Sequence, residues 1–159
     1  MQGGNEKDSA QEEESIVKDK HILVVEDIEV NRLILCKILN TRGATCDIAE
    51  NGQEAVDIFN ASEPGKYDII LMDVQMPVLD GYGATRAIRA GTHPCAKKIP
   101  IIAMTANAFA DDVQAALESG MNAHVSKPIV LAQVERTIRE VLESQGGNTT
   151  PEDRAIKTA

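Results

Sequence analysis

The sequence predicts an α/β fold, a doubly wound parallel sheet of five strands with five helices on both faces. Three observations predict it. Short continuous apolar runs alternate with segments of helical periodicity, as strands and helices do in βαβ units. The runs are apolar throughout rather than every second residue, which marks strands covered on both sides. Four of them end in polar groups: Glu26 and Asp27, Asp73, Thr105 and Lys127. In an open parallel sheet all strand C-termini share one edge, where ligands bind.

The elements follow in order. Residues 22–25 (ILVV) form a buried strand. Val30, Leu33, Ile34, Ile38 and Leu39 recur at helical spacing, and Gly43 closes that helix. Residues 44–49 form a weaker strand, and Asn51-Gly52 opens a helix carrying Ala55, Val56 and Phe59. Pro64-Gly65 marks a turn before the third strand, 68–72, after which come a loop at 73–80 and a helix from Gly81 through Ile88. A loop at 91–98 with Pro94 precedes the fourth strand, 99–104, and the helix 109–117. Residues 123–126 form a short fifth strand. Leu131, Val134, Ile138, Val141 and Leu142 mark an amphipathic last helix.

Length and composition set the frame. The 159 residues suit one domain, and hydrophobic residues at 43% suffice for a core. With 3% aromatics and no Trp that core must be aliphatic. Residues 1–19 hold six acids against two lysines and too little apolar surface to order themselves, so they read as a disordered acidic tail or linker. Residues 144–159 read as a second disordered tail, leaving 20–143 as the globular domain. The net charge of −9, with no basic face, argues against direct nucleic-acid binding. No apolar run approaches the roughly 18 residues that span a bilayer, and the polar N-terminus shows no signal peptide, so no membrane contact is expected. Cys36, Cys46 and Cys95 are an odd count without metal-ligand spacing and read as free thiols in a reducing, cytoplasmic compartment.

The strand ends carry the chemistry. Three acids, a hydroxyl and a lysine converge on one crevice. Clustered carboxylates repel unless a cation sits among them, and a hard divalent ion such as Mg2+ suits oxygen ligands. A lysine beside them suggests that an anionic group joins the site. Each residue also has a plainer reading: Asp27 as a cap of the first helix, Thr105 as strand packing, Lys127 as a solvated charge.

The motifs VVED, LMDVQMPVLDG, MTA and SKP, in this order and each at a strand end, resemble the receiver domain of two-component response regulators over residues 20–143. The wording of MDVQMPVLDGYGATRAIR and TANAFADD is similar to receivers of hybrid sensor histidine kinases. The resemblance implies a flavodoxin-like strand order, 2-1-3-4-5. It implies that Asp73 is the phosphoacceptor. Asp27 would bind Mg2+ directly and Glu26 largely through water, with Asp73 and the backbone carbonyl of Gln75 as further ligands. Thr105 would be the switch hydroxyl, Lys127 the ion-pair partner of Asp73 and then of the phosphoryl. Gln75 and Asn107 flank the site where the family tunes phosphoryl lifetime. The implied partner is a histidine kinase or histidine phosphotransfer protein, and the outer face of the last helix, with the fourth helix and fifth strand, is the usual partner surface. His124 departs from the pattern, standing where receivers often carry Tyr or Phe, so its part in the switch is an open question. Lys127-Pro128 is a candidate cis peptide.

The expected function is therefore a phosphoacceptor module, not an enzyme, of a phosphorelay, with no kinase domain in this chain and a hybrid kinase as its source. A stand-alone response regulator is the alternative. A Mg2+-dependent aspartate-nucleophile phosphatase needs a second acid two residues after the nucleophile, and that position is Gln75. A flavin site needs a phosphate loop after the first strand, which EDIEVNR cannot provide.

Overall fold

The computed structural model describes residues 15–106 and 110–147. Five strands, β1 His21–Val25, β2 Thr45–Ala49, β3 Ile69–Asp73, β4 Ile101–Thr105 and β5 Ala123–Ser126, form one sheet. All neighbours pair in parallel in the order β2-β1-β3-β4-β5, as expected. Five helices connect and complete it: α1 Glu29–Asn40, α2 Gly52–Ala61, α3 Gly81–Ala90, α4 Ala110–Ser119 and α5 Leu131–Leu142.

Strand alternation sorts the core into two layers. Leu23, Ile70, Met72 and Ala103 point to one face, where α2, α3 and α4 supply Phe59, Ile88 and Ala116. Ile22, Leu71, Ile102 and Met104 point to the other, covered by Leu35 and Leu39 of α1 and by Val134, Ile138 and Val141 of α5. Local chemistry sets the helix starts. Asn51 accepts the Glu54 N–H at 2.9 Å at the head of α2, and Asp80 accepts the Gly83 N–H at 2.8 Å at the head of α3.

Some boundaries differ from expectation. The fourth strand begins at Ile101 rather than 99, because Pro100 has no N–H to give the ladder; its carbonyl accepts Ile70 N–H at 2.9 Å. The third strand runs to Asp73, one residue further than read, because the ladder pairs Asp73 with Met104. The start read for the fourth helix at Phe109 lies outside the described residues. Residues 15–19, read as part of the 1–19 tail, lie within the described structure. Residues 15–20 form a turn that buries Val17 completely against the α1/α5 layer. At the other end a π-helical turn, Glu143–Gly147, continues α5 past the boundary read at 143.

The first helix departs most. Of its periodic apolar residues Leu39 is buried and Ile38 half-buried, but Val30, Leu33 and Ile34 are each more than half exposed, and Leu35 and Cys36 complete the core face in their place. Among the described residues no helix is long and apolar enough to cross a membrane.

Candidate functional site

Parallel strand order brings the ends of β1, β3, β4 and β5 to one edge, and the side chains singled out from sequence meet there. Asp73 closes β3 and is 3% exposed; Glu26 follows β1 and is 2% exposed. Carboxylate oxygens of Glu26, Asp27 and Asp73 lie within 4.8 Å of one another. Lys127, just past β5, reaches across the gap, its Nζ 3.1 Å from Asp73 Oδ1 and 3.3 Å from Glu26 Oε1. Thr105 ends β4, buried, and its carbonyl accepts the Lys127 N–H at 2.8 Å, which ties the β4 and β5 ends together.

Burial and the neighbouring Glu26 charge push the Asp73 carboxyl up to about 6, against the opposing pull of Lys127 and the Gln75 N–H. Burial works against the Lys127 charge, yet Asp73 and Glu26 together hold the ammonium above its usual value. Glu26 and Asp73 thus share one ammonium, and with Asp27 beside them they form a set of hard oxygen donors carrying excess negative charge. That donor set fits a small divalent cation.

The backbone around the carboxylate is closely packed. Gln75 N–H donates to Asp73 Oδ1 at 3.3 Å, and Ile28 N–H donates to Glu26 Oε2 at 3.1 Å. Gly81 opens α3 directly against β3: a Cβ there would sit 2.3 Å from the Asp73 carbonyl oxygen. Only glycine permits that approach. The Lys127-Pro128 peptide is cis, as expected.

The plainer reading of Asp27 as a helix cap does not hold, since Ile28 occupies the N-cap of α1 and no side chain caps it. His124 is half-buried on β5, opposite Ala103 in the ladder and two strands away from β3, which carries Asp73. Asn107 lies outside the described residues. Two features escaped the sequence reading. Arg32 of α1 donates to the Glu26 carbonyl at 3.0 Å and lies 3.7 Å from Glu50, bracing the acidic turn. Ile28 at the N-cap of α1 and Val30, Leu33 and Ile34 within it are exposed apolar residues. Ile34 borders a cleft of about 460 Å3 lined also by Glu26, Ile38, Met104, Lys127 and Ile129. The signal was present: apolar residues at 28, 30, 33, 34, 35, 38 and 39 are too many for one helix face.

Comparison with known proteins agrees with this arrangement. The family model for the response regulator receiver domain matches residues 22–139. The chain belongs to the response regulator receiver family. Among curated relatives, the sensor histidine kinase RcsC of Escherichia coli (strain K12) is 40% identical over 120 residues, covering 76% of this chain and 12% of the kinase. This chain spans 8–18% of the length of such relatives, several of them hybrid kinases whose receiver portion is what matches. Among solved structures, the receiver domain of a sensor histidine kinase from Pseudomonas aeruginosa PAO1 is 38% identical with a TM-score of 0.69, covering 78% of this chain and 98% of that one. That structure has a magnesium ion coordinated in its active-site cleft. The receiver of a Saccharomyces cerevisiae response regulator, solved with its histidine phosphotransfer protein, is 32% identical with a TM-score of 0.68, covering 79% and 90%.

Proposed function

We propose that this receiver takes a phosphoryl group from a phosphohistidine onto Asp73, and that it is the receiver portion of a hybrid histidine kinase. The observation that carries the reading is the buried Asp73 carboxylate, which ends its strand at the open edge of the sheet, held 3.1 Å from a lysine ammonium and flanked by Glu26 and Asp27. An Asp73 oxygen attacks phosphorus, the phosphorus–nitrogen bond to the donor imidazole breaks, and the imidazole leaves with that electron pair, giving an acyl phosphate. Glu26, Asp27, Asp73 and the Gln75 carbonyl would hold Mg2+, which when bound offsets the charge of the carboxylates and the incoming phosphoryl oxygens. Lys127 exchanges its pairing with Asp73 for one with a phosphoryl oxygen. The Thr105 hydroxyl donates to another, and its inward turn biases the adjoining α4–β5–α5 face between two conformations. His124 lies on β5 within that face and takes the place of the usual aromatic in the switch.

The exposed apolar strip of α1, together with the cleft beside it, supports a docking face for the phosphodonor. Such a strip, bordering through Ile34 the cleft that Glu26 and Lys127 line, suits a helical histidine phosphotransfer protein, the kind of partner bound by the yeast relative. The acidic surface and the lack of a long apolar helix among the described residues favour a cytoplasmic protein working without nucleic acid.

The test is transfer from a phosphorylated histidine phosphotransfer protein. The reading expects Mg2+-dependent, acid-stable but base-labile label that vanishes in Asp73→Asn. Undiminished label in that variant would assign the acceptor elsewhere.

A further inference from the structure

Two of the three acids at the sheet edge have their carboxylates held. Glu26 pairs with Lys127 and accepts the Ile28 N–H, and Asp73 pairs with Lys127 and accepts the Gln75 N–H. Among the described residues no hydrogen bond or ion pair holds the Asp27 carboxylate, although an oxygen of it lies within 4.8 Å of oxygens of the other two. Its position therefore falls to the backbone of the turn between β1 and α1. That backbone is pinned at Glu26 from two sides. The Glu26 N–H donates to the Ala49 carbonyl at 3.1 Å, at the end of β2, and the Glu26 carbonyl accepts from Arg32 Nη1 at 3.0 Å. The Arg32 guanidinium is itself confined: its side chain is only 11% exposed, and Nη2 lies 3.7 Å from the Glu50 carboxylate, one residue past β2.

We infer that Arg32 is a positioning residue for the metal site, setting Asp27 through the peptide that joins it to Glu26. A peptide unit is planar, so a hydrogen bond to its carbonyl fixes the plane from which the Asp27 side chain departs. Arginine suits the task. One arm of its rigid fork holds the Glu26 carbonyl while the other faces Glu50, a geometry that a single lysine ammonium does not reproduce. Groups that orient a metal ligand from behind govern the affinity of the site, and losing one typically weakens it about 10–100-fold. The sign of the effect separates this role from a charge effect. Arg32 is a positive charge near a cation site, so Coulomb's law alone makes its removal favourable to Mg2+. Positioning makes its removal unfavourable. The inference rests on the reading above that Glu26, Asp27 and Asp73 hold Mg2+.

The experiment is calorimetric titration of the folded, unphosphorylated protein with Mg2+, wild type against Arg32→Ala and Arg32→Lys. Arg32→Ala should weaken Mg2+ binding about tenfold or more, although it removes a positive charge. Arg32→Lys keeps the charge and much of the apolar stem, so it should bind more tightly than Arg32→Ala and more weakly than wild type. The loss should appear in the Mg2+ concentration that gives half-maximal phosphoryl uptake from acetyl phosphate, not in the rate at saturating Mg2+. Circular dichroism in EDTA checks that each variant is folded, and Arg32→Lys decides the question if Arg32→Ala does not fold. An affinity equal to or above wild type in either folded variant, or a rate that stays low at saturating Mg2+, would overturn the inference. A wild-type protein that binds no Mg2+ would overturn the metal reading, and the role of Arg32 with it, before any variant is made.

Discussion

Replacing Asp73 by Asn should stabilise the metal-free protein at neutral pH. Burial and Glu26 hold the folded carboxyl at about 6, whereas an ordinary aspartate titrates at 3.8. The folded state therefore keeps the proton to higher pH than the unfolded chain. Asp73 costs nothing below 3.8, becomes destabilising as pH climbs from there to about 6, and costs a constant amount above that. At about 1.36 kcal/mol per pH unit, the full cost at pH 7 is about 3 kcal/mol, and roughly half of that at pH 5. The amide imitates the protonated acid in shape and charge, so the variant should recover about 1–3 kcal/mol at pH 7. Urea unfolding in EDTA measures it. With slopes of ~1–3 kcal/mol/M, the midpoint should rise by about 1 M at pH 7 and by less at pH 5. An equal or lower midpoint at pH 7, or a gain that does not shrink at pH 5, would refute the electrostatic account of the cluster.

Three further outcomes are expected. Lys127→Ala leaves buried Glu26 and Asp73 without their shared cation, so metal-free protein at pH 7 should lose about 1–3 kcal/mol, part of it restored by Mg2+; thermal melts with and without the ion read both. Gly81→Ala drives a Cβ into the Asp73 carbonyl oxygen, which should cost at least ~2 kcal/mol and slow phosphoryl uptake, checked by chemical unfolding and by labelling rate. The double change Leu33→Glu and Ile34→Glu sits on exposed positions, so stability should move by only ~0.5 kcal/mol per site. Transfer from a phosphohistidine donor should nevertheless fall at least tenfold, at ~1.4 kcal/mol per tenfold, with acetyl phosphate uptake unchanged.

The sheet was legible because its central strands β1, β3 and β4 are continuous aliphatic runs with polar ends, a pattern that two-sided burial and a shared C-terminal edge explain together, while β2 and β5 at the margins carry a weaker signal. That edge pointed to Glu26, Asp27, Asp73, Thr105 and Lys127 as candidates, and the resemblance to receiver domains supplied their roles. What stayed hidden depends on tertiary packing. The spacing of Val30, Leu33 and Ile34 states that α1 is a helix but not which of its two apolar faces meets the sheet; Leu35 and Cys36 won the core because they pack over β1 and β2. Ile16 and Val17 are an apolar pair at the end of a charged stretch, and only the turn that seats Val17 in the α1/α5 layer reveals its burial.

The most direct test of the central claim is intact-mass spectrometry with peptide mapping after incubation with acetyl phosphate and Mg2+. The account predicts one phosphoryl group, located on Asp73, dependent on Mg2+ and absent from Asp73→Asn. A phosphoryl group on another residue, or one that persists in Asp73→Asn or in EDTA, would contradict it.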